Sequence, residues 1–227
     1  MPIPNHVAPK LSDLDLAIMS HVPVGGNWRS VPKGMSKRID NMSGGRSTQY
    51  ARLRPERPSY TISTYYVRPG NGCNFHWSQE RTISHREAAR IQSFPDSIGF
   101  GGSQRAITTQ IGNAVPPLLA YQIAVAAGKP GTVCDLFCGA GGLSLGFHWA
   151  GWKPALCVDI MGACFVAIGW GLGGPWMMPN VDVDKDYAEV LAAAIEVRDT
   201  SPRPFFVLGG PPCQGHSTAG KRGGEGD

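Results

Sequence analysis

Through the second half of the chain, short apolar runs alternate with longer stretches of helical period. "TVCDLF" reads as a strand, "CGAGG" as a glycine turn, "LSLGFHWAG" as a helix and "ALCVDI" as a second strand, together a β-turn-α-β unit. "MGACFVAIGW" reads as helical despite its glycines. "YAEVLAAAIEVRD" predicts a further helix, leading through "SPRP" into "PFFVLGG", an apolar and aromatic run bounded by Pro204 and a glycine pair. Strands alternating with helices predict an α/β fold, a Rossmann-like and mostly parallel sheet with helices on both faces. Upstream, "SYTISTYYV" (59–67) is rich in Thr, Tyr and β-branched residues and predicts a strand. In "ISHREAARIQSFPD", Ser84 and Glu87 form an S-x-x-E capping box, Ile83 takes the staple position and Pro95 ends a helix running to about Ser93. "VPPLLAYQIAVAAGKPG" predicts another helix, opened by Pro116 and Pro117, stopped at Gly128 and followed by Pro130.

Composition narrows the class without naming a chemistry. The 227 residues suffice for one large domain or two small ones, and 42% hydrophobic against 17% charged residues exclude a disordered chain. Glycine (30) and proline (19) exceed a fifth of the sequence, which signals many turns and close backbone approaches. The net charge of +4 is compatible with a polyanionic partner. Its basic portion is "VPVGGNWRSVPKGMSKRIDNMSGGRSTQYARLR", with seven Arg and Lys against one Asp, either a solvated surface or a phosphate contact. Six cysteines without a CxxC pair, and no histidines at metal spacing, predict reduced thiols and no metal. The absence of an apolar run of 18 residues or a secretory segment predicts a cytoplasmic protein with no membrane partner.

Candidate chemistry lies at two strand ends. In "DLFCGAGGLSLGF" a strand ends at Phe137, and Gly139, Gly141 and Gly142 follow before a helix, so a ligand can lie against bare backbone. The third glycine of a dinucleotide motif is replaced by Ser144, but the acid twenty residues after Gly139 is present as Asp159. This predicts a nucleoside ligand with a ribose and no required phosphate. Asp135, beside the turn, is expected to repel a pyrophosphate and attract a cation such as an ammonium. Cys213, in "VLGGPPCQG", sits just past another strand end, where α/β sheets display reacting groups. On its own it is either a nucleophile or a small residue packed in a tight turn.

Four stretches decide between these. "DLFCGAGGLSLGF", "GGPPCQGHS", "RTISHREAARIQSFPD" and "QIGNAVPP" together resemble the DNA (cytosine-5) methyltransferases, and the resemblance covers most of residues 50–227. It implies a class I S-adenosylmethionine-dependent fold. The cofactor would lie against Phe137, Gly139, Gly141, Gly142 and Pro211, with Asp159 on the ribose, and Asn113 and Val115 of "GNAV" closing over the methionine end. Asp182 of "NVDVD" would be the adenine-side acid, although Asp184 fits nearly as well. The resemblance makes Cys213 the nucleophile that adds to carbon-6 of a cytosine flipped out of double-stranded DNA. Gln214, Ser217, Lys221 and Arg222 would face the DNA from a closing loop.

The order of the motifs departs from the family pattern, because "REAARIQSFPD" and "GNAVPP" precede the glycine turn instead of following the recognition region. This predicts a circular permutation. The family's "ENV" glutamate, its arginine-rich strand motif and most of the recognition region have no counterpart in the sequence. The expectation is therefore a split enzyme completed by a second polypeptide. Residues 1–105 would carry a remnant of the recognition region and a small-domain helix, and 106–227 an incomplete S-adenosylmethionine-binding catalytic domain. Two alternatives stay open: a non-catalytic module that holds cofactor or DNA, and an RNA cytosine-5 methylase.

Overall fold

The computed structural model of the chain describes residues 3–43, 47–172 and 174–211. Cys213, Gln214, Ser217, Lys221 and Arg222 lie outside the described residues. Five helices come first: α1 (Asp13–Ser20), α2 (Lys37–Asp40), α3 (His85–Ile91), α4 (Gln104–Asn113) and α5 (Pro117–Ala126). Strands and helices then alternate as β1 (Thr132–Leu136), α6 (Gly142–Trp149), β2 (Lys153–Asp159), α7 (Phe165–Gly171), β3 (Trp176–Pro179), α8 (Tyr187–Thr200) and β4 (Phe205–Gly209). The four strands form one sheet in the order β3-β2-β1-β4, and every pairing is parallel.

Strand alternation distributes the sheet's side chains between two layers. Cys134, Leu156, Val158 and Met178 pack against Val190, Ala193 and Val197, the apolar stripe of α8. Their neighbours turn the other way: Val133 joins Ala124 of α5, Phe147 of α6 and Trp152, while Cys157 joins Ile168 of α7. Helices therefore cover both faces, as an α/β parallel sheet requires. Because every pairing is parallel, the strand carboxyl ends lie on one side, where Phe137, Ile160, Asn180 and Gly210 follow β1, β2, β3 and β4.

The expected helix caps are present. The Ser84 hydroxyl accepts the Glu87 N–H at 3.1 Å, and the Glu87 carboxylate accepts the Ser84 N–H at 2.7 Å. Pro117 takes the first turn of α5, and Gly128 follows its end with φ +94°.

The strand expected over 59–67 is not formed. The segment is irregular and turns over 64–67, with the Tyr66 N–H donating to the Ser63 carbonyl and the Tyr65 N–H to the Ser63 hydroxyl. Tyr66 is fully buried with its hydroxyl on His85, so the apolar and hydroxylic residues serve a turn packed on α3 rather than a ladder. The structure also adds α1, α2, α4 and the short β3 to the predicted elements.

Candidate active site

The glycine turn after β1 is held open by backbone geometry. Phe137 adopts φ +61°, a left-handed conformation that costs a non-glycine residue roughly 1–2 kcal/mol. Such strain persists only where the surroundings over-determine it. Here the Cys138 N–H donates to the Val158 carbonyl at 3.0 Å, tying the turn to β2, and the Gly141 N–H closes back on the Cys138 carbonyl at 2.9 Å. Gly139 follows at φ +52°, and a Cβ placed on it would meet nothing within 4 Å. The backbone at Gly139 is thus bare on its open side, which suits a flat ligand lying against it.

Asp159 is built into this turn. Its Oδ2 accepts the Gly139 N–H at 2.8 Å, and its Oδ1 accepts the Met161 N–H at 2.7 Å. One half-buried carboxylate therefore joins the ends of β1 and β2, and each oxygen retains a lone pair for a further donor. Ribose hydroxyls are donors of that kind. The main-chain carbonyl of Asp159 also accepts the Val181 N–H at 3.3 Å, which brings the segment after β3 alongside.

Two upstream motifs converge on the same turn. Around the "GNAVPP" segment, the Gln92 amide donates to the carbonyls of Ile111 and Ala114 at 2.8 and 3.4 Å, and the Leu118 N–H donates to the Ser93 hydroxyl at 3.1 Å. "QSFPD" thus clamps "GNAVPP" from both sides. The clamped loop lies on the first residue of α6: a Cβ on Gly142 would stand 2.2 Å from the Val115 carbonyl oxygen and 3.1 Å from the Phe94 ring. Only glycine permits that approach.

Of the predicted cofactor residues, Phe137, Gly139, Gly141, Gly142, Asp159, Asp182 and Pro211 all fall at the carboxyl ends of the strands or in the turns that follow them. Val115 joins them through Gly142, and Asn113 sits two residues away at the end of α4. The Asp182 carboxylate caps its own turn, accepting the Asp184 N–H at 3.1 Å and pairing with Lys185 at 3.0 Å, and the Lys185 ammonium holds it below the usual carboxylate range. Asp184 is exposed beside it.

Asp135 departs from expectation. The sheet's alternation turns it into the helical layer, where it is buried and its Oδ2 accepts the Ser144 hydroxyl of α6 at 2.6 Å. Burial pushes its carboxyl up to about 6, with the Ser144 hydrogen bond opposing and the Asp159 charge adding to the rise. The same Ser144 that breaks the dinucleotide glycine pattern is therefore the partner that satisfies Asp135.

This arrangement agrees with the comparison to known proteins. The sequence model for C-5 cytosine-specific DNA methylases matches residues 15–129 and 131–227. The chain belongs to that family. Among curated relatives, it is 34% identical over 116 residues to the type II methyltransferase M.BbvI of Brevibacillus brevis, covering 50% of this chain and 30% of the relative. It is 37% identical over 110 residues to the type II methyltransferase M.NgoFVII of Neisseria gonorrhoeae, covering 48% and 28%. It is 46% identical over 84 residues to the DNA (cytosine-5-)-methyltransferase M.ApeKI of Aeropyrum pernix, covering 36% and 17%. The aligned stretch thus spans less than a third of each of these relatives.

The C-5 methylase chain also contains a cavity of about 790 Å³ away from the strand ends, between the segment 7–10, the turn 64–68 and α3–α4. It meets the predicted cofactor residues only at Asn113. Sequence reasoning did not single out its Lys10, Tyr65, Arg68 and Arg105; the Tyr65–Arg68 spacing on one turn was the available signal. Among the described residues, no cluster of His, Cys, Asp and Glu is placed to hold a metal ion, and no helix is long and apolar enough to cross a membrane.

Proposed function

We propose that this chain transfers a methyl group from S-adenosylmethionine to carbon-5 of cytosine in double-stranded DNA, with Cys213 as covalent nucleophile. The single observation that carries the reading is the convergence of three family motifs on one turn: "DLFCGAGG" bare at Gly139, Asp159 anchored across it, and "GNAV" pressed on Gly142. Cofactor residues would be Phe137, Gly139, Gly141, Gly142, Asp159, Asp182, Pro211, Asn113 and Val115. Asp159 would accept from the ribose hydroxyls with the lone pairs its backbone bonds leave free. The cofactor would supply an electrophilic methyl group when bound and leave as S-adenosylhomocysteine.

Cytosine carbon-5 is a poor nucleophile until a thiolate adds to carbon-6 and turns the ring into an enamine. In the sequence Cys213 comes four residues after the end of β4. After carbon-5 is methylated, loss of its proton and elimination of the Cys213 thiolate restore the aromatic ring and the free enzyme. Carbon-6 is out of reach in a stacked duplex, so the base must be extruded, at a cost of a few kcal/mol. Gln214, Ser217, Lys221 and Arg222 would contact the DNA around it.

We further propose a circularly permuted order and a split enzyme, in which a second polypeptide brings the "ENV" glutamate and the recognition strands. On this reading 1–105 belong to the recognition side and 106–227 to the catalytic domain. The support is the free edge of β4, which among the described residues pairs only with β1 and leaves Val207 57% exposed. An open edge of a parallel sheet with apolar residues on it invites further strands.

Duplex DNA carrying 5-fluorocytosine at the target, incubated with S-adenosylmethionine and the completed enzyme, tests the nucleophile, because fluorine at carbon-5 blocks the final elimination. A covalent adduct through Cys213 is expected, absent in Cys213→Ala. An adduct persisting in that variant refutes the assignment.

A further inference from the structure

The charges of the chain are unevenly divided. Residues 1–128 hold 14 Lys and Arg against 7 Asp and Glu, whereas 129–227 hold 7 against 10. The cavity of about 790 Å³ lies on the basic side, and its size falls in the range of roughly 300–1,000 Å³ typical of ligand sites. Lys10, Arg68 and Arg105 line it; among the described residues no Asp or Glu does, and none of the three cations has a carboxylate partner.

His85, on the floor of the cavity, is already satisfied. His85 is buried with Nδ1 on the Tyr66 hydroxyl at 2.6 Å and Nε2 on the Gln104 side-chain oxygen. Both ring nitrogens are engaged and burial lowers its pKa, so the floor is neutral and the three cations set the field. Tyr65 presents an aromatic face, 49% exposed, with the Arg68 guanidinium 5.2 Å over the ring. An aromatic face beside unpaired cations is the pairing that binds an unstacked base together with its phosphates.

The cavity also has a defined relation to the turn. Asn113 lines it, and two residues later the Val115 carbonyl presses on Gly142. Among the described strand-end residues none lines it, Pro211 included, which sets it apart from the turn that would hold the cofactor.

We propose that this cavity seats one unstacked nucleotide of the substrate DNA other than the target cytosine, its base against Tyr65 and its phosphates on Lys10, Arg68 and Arg105. The proposal rests on the reading of DNA as substrate and adds a second point of strand distortion to it. A protein that pulls a neighbouring nucleotide out of the stack lowers the cost of extruding the target, because that base has then lost one of its stacking partners.

The test is fluorescence anisotropy of the full chain with three labelled DNAs of one sequence: a paired duplex, a duplex with one bulged nucleotide, and the single strand. S-adenosylmethionine binding by calorimetry is measured on the same samples. The wild type should prefer the bulged duplex and the single strand to the paired duplex. The triple variant Lys10→Ala/Arg68→Ala/Arg105→Ala should flatten the dependence of log K on log salt for the single strand by about 2, three contacts at roughly 0.7 each. Tyr65→Ala should weaken the bulged duplex by roughly 5- to 150-fold, the worth of one base stacked on an aromatic ring, and the paired duplex by no more than that, because there part of the stacking gain is offset by unpairing. Tyr65→Phe keeps the ring and should keep the affinity.

An unchanged salt slope in the triple variant overturns the proposal. So does an unchanged affinity of Tyr65→Ala for the bulged duplex, or no DNA binding by the wild type. Loss of cofactor binding with the DNA pattern intact would instead overturn the cofactor assignment and leave the cavity's role standing.

Discussion

From Thr132 to Gly209 backbone ladders carry the structure, with β1 paired on both sides and side chains free to serve the strand ends. Between residues 3 and 113 the only β-pairing of the described backbone is two isolated bridges, Arg52 to Phe75 and Phe75 to Thr82, and guanidinium groups join scattered backbone hydrogen bonds, such as Tyr50 to Pro69, in stitching the region together. Arg52 is buried and donates to the carbonyls of Met19, Val22 and His76 at 2.8, 2.7 and 3.0 Å. Arg86, with no exposed surface, donates to the carbonyls of Pro4, Pro95 and Ile98. An irregular region must still satisfy its buried carbonyls, and the planar five-donor fork does so across segments far apart in sequence. The same contrast governs two carboxylates. Burial would raise Glu87, but the bidentate Arg81 at 2.6 and 2.7 Å and the Ser84 N–H bring it down to about 2. Asp135, with a serine and no cation, is pushed up to about 6.

Removing an internal arginine breaks this comparison most severely. Arg86→Met should cost about 3–5 kcal/mol in urea unfolding, since three carbonyls from separate segments lose their donor. Arg105→Ala, on the cavity rim, should stay within roughly 0.5 kcal/mol.

The carboxylates predict opposite pH limbs. Asp135 binds its proton more tightly folded than unfolded, so its contribution is full below its ordinary value of 3.8 and is lost as pH rises through about 6. That loss amounts to about 3 kcal/mol, and melting curves of Asp135→Asn between pH 4 and 7 should lack it. Glu87 contributes above its ordinary 4.5 and loses that contribution as pH falls toward about 2, so Glu87→Gln should remove the acid limb instead.

Smaller effects are expected at the turn itself. Gly142→Ala forces a Cβ against the Val115 carbonyl and should cost about 1–3 kcal/mol of stability, with weaker cofactor binding as "GNAV" is displaced. Asp159→Ala should weaken S-adenosylmethionine binding by about 1–3 kcal/mol in calorimetry. Unchanged affinity in a folded Asp159→Ala protein would hand the ribose to another acid.

Legibility followed the same divide. Every α/β element from β1 to β4 was readable from period and glycine punctuation except β3, whose "WMMP" is short and lacks β-branched residues. The Ser84–Glu87 box was readable because capping is a local contact. The run 59–67 misled because Thr and Tyr favour strands wherever a half-buried pleat exists, and here the burial is that of a turn. Arg52 misled in the opposite direction, since it lies in the basic stretch read as surface or phosphate contact, and nothing local announces the carbonyls it meets from residues 19, 22 and 76. At the site, the strand-end placement of Asp159 and Gly139 was legible from their spacing. The inward turn of Asp135 was not, because it depends on which face of the sheet α6 covers.

The most direct measurement is transfer of labelled methyl from S-adenosylmethionine to duplex DNA. It would compare this chain, a polypeptide carrying the "ENV" glutamate and recognition strands, their mixture, and the mixture with Cys213→Ala. The account predicts silence from each polypeptide alone, labelled 5-methylcytosine from the mixture, and none from the variant mixture. Methylation that survives Cys213→Ala would contradict the covalent mechanism, and full activity from this chain alone would contradict the split enzyme.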